Sequence, residues 1–451
     1  MAHRLLEGIR IVDLTMVFAG PVSTKIMAEL GAEVIKIESV QRADVFTRAN
    51  VYPENQPGDD AWNRGSHFHA LNAGKKGISL NLADERGRDI FKRLVGISDA
   101  VVENYSPRVM DNLGLDYEQL KKVKPDIVMV SLSGLGHYGP LRDFYMYVPG
   151  MEGMGGLTYT TGQSDTPPLL TGHAYGDWVA GVNAAAALMT ALFYRQTTGK
   201  GQYVDLSGRE AVACHLGDLI MEYTLNGRDP ERAGNSDHLA APHGCYRCLG
   251  DDRWVNIAVE NDAQWRSLCD VSGHPEWAAD PSFASLADRR RNSTELDNSI
   301  EEWTIHLDHL EVMRRLQAVG VPAGAVLDMR GVNLDPHLHS RGFFYAIDHG
   351  PGIGRRPIGS QIPAKFGGVE SFVPKRAPRY AEDDRYVFGS LLGMSETEME
   401  SLAQDKIIGG PPQFPRGRPT RLDLLRQQQS AALDPGYQEE LRKRYESQGP
   451  G

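Results

Sequence analysis

The first forty residues alternate between apolar runs and an amphipathic segment. IRIVDL (9–14) is an apolar strand pattern, and EVIKIE (33–38) is a second one. Between them PVSTKIMAELG (21–31) carries helical spacing, with Pro21 at its start and Gly31 at its end. The alternation returns twice. NLADERGRDIFKRLVGISD (81–99) predicts a helix before the strand DAVVENYSP, and YEQLKKVKPD predicts a helix before the strand IVMVSLSG. Strands separated by helices predict an α/β fold around a parallel sheet, with binding loops at the carboxyl ends of the strands.

Further along, a long apolar helix is expected from near Asp177 to TTGKGQ (197–202), then a short strand YVDLS and the helix GREAVACHLGDLIMEYTLNG. From about 229 the texture changes to a hairpin, CYRCLGDDRWVNIAV, followed by mostly helical text to about 319. These shifts predict a large domain in 1–228, a small domain in 229–330 and a segment, 331–408, that completes the large one. Residues 409–451 read as a proline-glycine linker and polar tail, and 51–66 as a surface loop.

Composition narrows the function. A chain of 451 residues calls for two or three domains. A net charge of −11 speaks against a general nucleic-acid surface, although a local basic pocket could hold an anionic cofactor. Four cysteines give no disulfide framework and fit a reducing compartment. The N-terminus runs straight into a strand without a signal-like apolar region, and the apolar run Trp178–Tyr194 reads as a buried helix. A soluble cytoplasmic protein is expected.

The chemical motifs are mostly negative. Gly134, Gly136 and Gly139 form a G-x-G-x-x-G, but no helix start follows, so dinucleotide binding is disfavoured. Cys245 and Cys248 point to opposite faces of an extended strand and lack a second pair, so no metal site is expected. His137, in a glycine-rich loop after a strand, is open to a structural or a catalytic role. Asp177 follows Tyr175–Gly176 at the start of the long helix. An aspartate there reads as an N-cap, and helix N–H groups would keep its carboxylate ionised and nucleophilic. Gly176 would let an acyl thioester approach the backbone.

Five ordered blocks carry a resemblance: FAGPVSTKIMAELGAEVIKIE (18–38), HALNAGKKGISLNL (69–82), VVENYSPRVMDNLGL (101–115), SLSGLGHYGP (131–140) and GHAYGDWVAG (172–181). Together they resemble the family III CoA-transferases, the group of formyl-CoA transferase and the carnitine and bile-acid CoA-transferases, over about residues 6–400. The resemblance implies a Rossmann-like large domain with a smaller inserted domain, an interlocked ring-like homodimer, and a coenzyme A thioester as substrate with no permanently bound cofactor. It places the nucleophilic aspartate at Asp177.

By the same resemblance Val17, Phe18 and Ala19 line the cofactor, and Leu71, Asn72, Lys75, Asn104 and Tyr105 match the other coenzyme A blocks. Phe18 and Ala19 could also donate to an oxyanion. Lys75 and Arg108 could neutralise phosphates, and Tyr105 could offer a face to adenine. The family's arginine after the second strand is Ser39 here, which passes that role to Arg42 or Arg48. Two rivals share the fold: an acyl-CoA racemase, whose histidine block has none in 142–153, and a subunit of a heteromeric transferase. The aromatic, methionine-rich FYMYVPGMEGMGG suggests an acceptor larger than formate or oxalate, with succinyl-CoA as a candidate donor.

Overall fold

The computed structural model describes residues 4–49, 51–369, 375–414, 423–424 and 436–445. Much of the expected 409–451 tail lies outside these residues. The chain forms two compact units, one of Met1–Leu157, Leu170–Asp218 and His337–Gly451, the other of Thr158–Leu169 and Leu219–Pro336.

The first unit holds a six-stranded parallel sheet of β1 (Arg10–Asp13), β2 (Glu33–Glu38), β3 (Lys76–Ser79), β4 (Ala100–Glu103), β5 (Val128–Ser133) and β6 (Tyr203–Ser207). Their spatial order is 3-2-1-4-5-6, all pairs parallel. The order reverses between β1 and β4, where a doubly wound sheet opens a crevice at its carboxyl edge. Period-two alternation splits the strand side chains between two cores. Ile11, Val34, Ala100, Val102, Val128 and Val130 face one side, with Ala180, Ala184 and Leu188 of the Tyr175–Thr198 helix packed on them. Val12, Ile35, Val101 and Met129 face the other, against Phe91, Leu94 and the C-terminal Val387 and Phe388.

The helix boundaries follow local chemistry. Asp84 caps Glu85–Gly96 through the Arg86 N–H, Asp116 caps Tyr117–Val123 through Gln119, and Ser207 caps Gly208–Ala213 through Glu210. The Tyr175–Thr198 helix ends at Gly199, whose φ of 70° is the left-handed stop that glycine allows. By length and composition alone this helix could cross a membrane, but its buried face packs on the Ala19–Glu29 helix and the sheet.

The second unit builds a three-stranded antiparallel sheet from His243–Arg247, Trp254–Ala258 and Ala323–Ala325. Its core joins Tyr246, Cys248 and Ile257 to the helical residues Trp265, Leu268, Leu296, Ile300 and Leu316. A buried arginine, Arg289, ties the unit together. It donates to the carbonyls of Ala241 and Phe283 and to the Asp262 carboxylate, and lies 5.3 Å from the Trp265 ring centroid. Satisfying the guanidinium in this way is what allows its burial.

Candidate active site

The loop leaving β1 is strained. Val17 has φ 68°, a left-handed conformation that a β-branched residue adopts at a cost of about 1–3 kcal/mol. Three hydrogen bonds hold it there. The Asn104 amide, at the end of β4, accepts from the Met16 N–H at 2.7 Å and donates to the Met16 carbonyl at 2.8 Å. The Val17 N–H donates to the buried Asp44 carboxylate at 3.1 Å. Asp44 is placed in turn by its own N–H, which reaches Glu38 at 2.8 Å, and Glu38 is paired with the buried Arg48 at 2.5 Å. Phe18 and Ala19 follow at the start of the Ala19–Glu29 helix. Neither N–H donates to an acceptor among the described residues, as expected of a helix N-terminus.

Asp177 is brought to this loop by close helix packing. Gly181, one turn beyond it, presses against the Ala19 carbonyl and the Val22 side chain; a Cβ there would lie 2.6 Å from the carbonyl oxygen. Adjacent to Asp177, the Trp178 ring meets the Phe18 ring at 6.3 Å, and His173 stacks on Trp178 at 6.4 Å. His67 and Phe46 complete an aromatic cluster around Phe18 at 5.5 and 6.1 Å.

Asp177 is not the N-cap. That position belongs to Ala174 (φ 50°), and Asp177 is the third residue of the first turn. Its carboxyl is also not held in the ionised form. Burial, helped by the negative charge of Glu152, pushes its pKa up to about 7. The partial charge of the helix terminus, worth well under 2 kcal/mol in most settings, is outweighed by loss of solvent. Glu152 sits in the Val148–Met154 helix and is 1% exposed. It accepts hydrogen bonds from the Gly176 N–H at 3.2 Å and from the Thr171 hydroxyl and N–H at 2.9 and 3.3 Å. Gly176 is therefore buried between Asp177 and this second carboxylate. Glu152, Asp44 and the ring cluster were not anticipated from sequence.

The remaining predicted residues fall into separate groups. Lys75 is buried, and its ammonium is surrounded by Asp13 (2.9 Å), Thr24 (2.7 Å), Asn72 (2.8 Å) and the Pro21 carbonyl (3.2 Å). Burial lowers its pKa to about 8, partly offset by Asp13. Its three protons are thus used inside the fold rather than on a phosphate. Asn72 also donates to the Phe68 carbonyl, and Leu71 is buried. Arg48 is fixed by Glu38 and stacks over Phe68 at 3.4 Å, whereas Arg42 is exposed. The Tyr105 N–H donates to Glu103, and the Tyr105 ring packs partly against the core. Arg108 (φ 74°) pairs with Asp143 at 2.6 Å. Arg108 and His137 line a different cavity of about 320 Å³ together with Tyr117 and Asp205. There the His137 N–H donates to Asp205, and its Nε2 lies 3.7 Å from Glu103.

This arrangement supplies a tuned carboxyl group, an aromatic wall and free backbone donors at the crevice edge of the sheet. No cluster of three or more His, Cys, Asp or Glu able to hold a metal ion exists among the described residues.

The chain is 32% identical over 407 residues to the succinyl-CoA–D-citramalate CoA-transferase of Chloroflexus aurantiacus, covering 90% of this chain and 98% of that one. It is 31% identical over 421 residues to the formyl-CoA:oxalate CoA-transferase of Streptomyces avermitilis, covering 90% and 100%. The crystal structure of a CAIB/BAIF family protein from Brucella suis superposes with a TM-score of 0.77 at 31% identity, over 87% of this chain and all of that one. The model of CoA-transferase family III matches residues 6–384, and the chain belongs to that family.

Proposed function

We propose that the protein transfers coenzyme A between carboxylic acids, with Asp177 as the nucleophile. The observation that carries this reading is a half-buried carboxyl group on a helix that packs, through Gly181 and Trp178, against the loop bearing Phe18 and Ala19, whose backbone N–H groups have no acceptor among the described residues. In the first step an Asp177 oxygen attacks the donor thioester carbonyl. The C–S bond breaks, leaving a mixed anhydride and coenzyme A thiolate. The thiolate then attacks the Asp177 carbonyl carbon and releases the donor acid, giving an aspartyl thioester. The acceptor carboxylate attacks that thioester and frees the thiolate, which finally attacks the acceptor's acyl carbon and restores the Asp177 carboxylate. Every step exchanges one acyl bond for another, so neither ATP nor a metal is consumed.

The side chains supply what such a sequence needs. The Phe18 and Ala19 N–H groups would stabilise the oxyanion of each tetrahedral intermediate, worth about 3–4 kcal/mol per donor in comparable sites. The Phe18, Trp178 and His67 rings would keep water from the anhydride and thioester. Arg42, exposed near the end of β2, is the basic residue left to meet a coenzyme A phosphate. The named activities of the relatives support a dicarboxylic acceptor and succinyl-CoA as donor.

The working form is a homodimer of interlocked subunits, with the small domain inserted in the large one. Tyr145, Tyr147 and Phe193, 86%, 68% and 68% exposed, are apolar side chains that such an association could cover. The test is incubation with succinyl-CoA and a panel of free acids, with new thioesters followed by mass spectrometry. Transfer by wild type but not by Asp177→Ala or Asp177→Asn supports the reading; transfer by both variants at the wild-type rate refutes it.

A further inference from the structure

Beside the aromatic cluster lies a cavity of about 570 Å³ that the catalytic steps above leave unused. One end is walled by Ser66 and His67, and the His67 ring is 5.5 Å from that of Phe18. Its other walls are largely apolar, from Ile353, Pro357, and Tyr437 and Leu441 of the helix Tyr437–Tyr445. That last wall lies beyond the residues 6–384 shared with the family.

The charges in the cavity do not cancel. Arg356 pairs with Glu54. His69 and His349 face each other, Nδ1 to Nδ1 at 3.3 Å, and burial pulls the pKa of His69 down to about 4 and that of His349 down as well, so both are neutral at pH 7. Arg64 is left over. It has no ion pair among the described residues, and its buried Nε has no hydrogen-bond partner. Glycines on both sides make room for the guanidinium: a Cβ on Gly58 would lie 2.4 Å from Nη1, and one on Gly352 would lie 3.4 Å away. Arg64 is partly buried, and leaving its buried Nε unpaired is costly; a carboxylate is the partner whose planar geometry fits a guanidinium.

We propose that this cavity seats the far end of the acceptor acid, with Arg64 binding a second carboxylate that takes no part in transfer. The acceptor is then a dicarboxylic acid with an apolar spacer. Its reacting carboxylate extends past His67 toward Phe18 and Asp177, and the distal one is neutralised in the cavity. The proposal rests on the transferase reading for the identity of the acid as an acceptor, but binding of the acid can be measured without turnover.

Calorimetric titration of the full chain with glutarate, adipate and their monomethyl esters tests it. The wild type should bind at least one diacid ten or more times more tightly than its monoester. Arg64→Gln should lose that preference, and Arg64→Lys, which keeps the charge, should retain part of it. Ala70→Phe, which fills the cavity from its exposed edge, should weaken the diacid without altering the guanidinium. Equal affinity of wild type and Arg64→Gln for the diacid would overturn the proposal, as would failure of the wild type to bind any diacid. Loss of transfer in Asp177→Asn with diacid binding intact separates the two readings, because the first belongs to the nucleophile and the second to the cavity.

Discussion

The buried carboxylate of Glu152 accepts a hydrogen bond from the Gly176 N–H at 3.2 Å, one residue before the acid that the site is built around. It fixes the first turn of the Tyr175–Thr198 helix and at the same time adds negative charge beside Asp177. Replacing it separates these effects. Glu152→Gln keeps an acceptor for Gly176 and removes the charge, so the Asp177 pKa should fall. Because burial is the larger cause, the fall should be partial. Glu152→Ala should instead destabilise the fold by about 1–3 kcal/mol through the unsatisfied Gly176 N–H. A pH–rate profile for the first and a denaturant titration for the second check both.

Transfer itself should depend on pH in a defined direction. The nucleophile must be ionised, so kcat/KM should rise through pH 7 and level off above it. A profile flat from pH 5.5 to 8.5 would argue that another group, or another protonation state, does the chemistry.

Stability should show the opposite dependence. A carboxyl whose pKa is raised by folding stabilises the folded chain below its unfolded value, near 3.8, and that contribution is lost as pH rises through about 7. Asp177→Asn, which cannot ionise, should therefore be more stable than wild type at pH 8 by on the order of 2 kcal/mol and indistinguishable at pH 4. Thermal melts at the two pH values measure the difference.

Strain in the β1 loop gives a further test. Val17→Gly removes the penalty at φ 68° and should stabilise the chain by about 1 kcal/mol while loosening the loop that presents Phe18 and Ala19. Asn104→Ala removes both bonds that hold Met16 and should lower kcat by about 10- to 100-fold with a smaller effect on the KM for the thioester.

Lys75 separates a structural role from a binding one. Its loss leaves Asp13 as an unpaired buried carboxylate, so Lys75→Met should cost about 3–5 kcal/mol. Where the variant is still folded, its affinity for coenzyme A, measured by titration, should match the wild type.

Much of this was legible in the chain. Apolar runs marked β1, β2, β4 and β5, and Gly199 marked the end of the long helix, because those signals are local. Asp177 could be named from its block. Its raised pKa could not, because the burial that chiefly causes it, and the Glu152 charge from 25 residues earlier that adds to it, arise only from helix packing. Lys75 shows the converse. A lysine in a matching block suggested phosphate, while its surroundings come from β1 and from the Ala19–Glu29 helix, which only the folded sheet brings together. The strain at Val17 was equally hidden, since a β-branched residue gives no hint of a left-handed backbone.

The central claim is that acyl groups pass through Asp177. The most direct measurement is to mix the protein with succinyl-CoA alone, quench with hydroxylamine, and map the peptides by mass spectrometry. A hydroxamate at Asp177, formed only when the thioester is present and absent from Asp177→Asn, is the predicted result. A hydroxamate on another acid such as Glu152, or none while transfer proceeds normally, would contradict it.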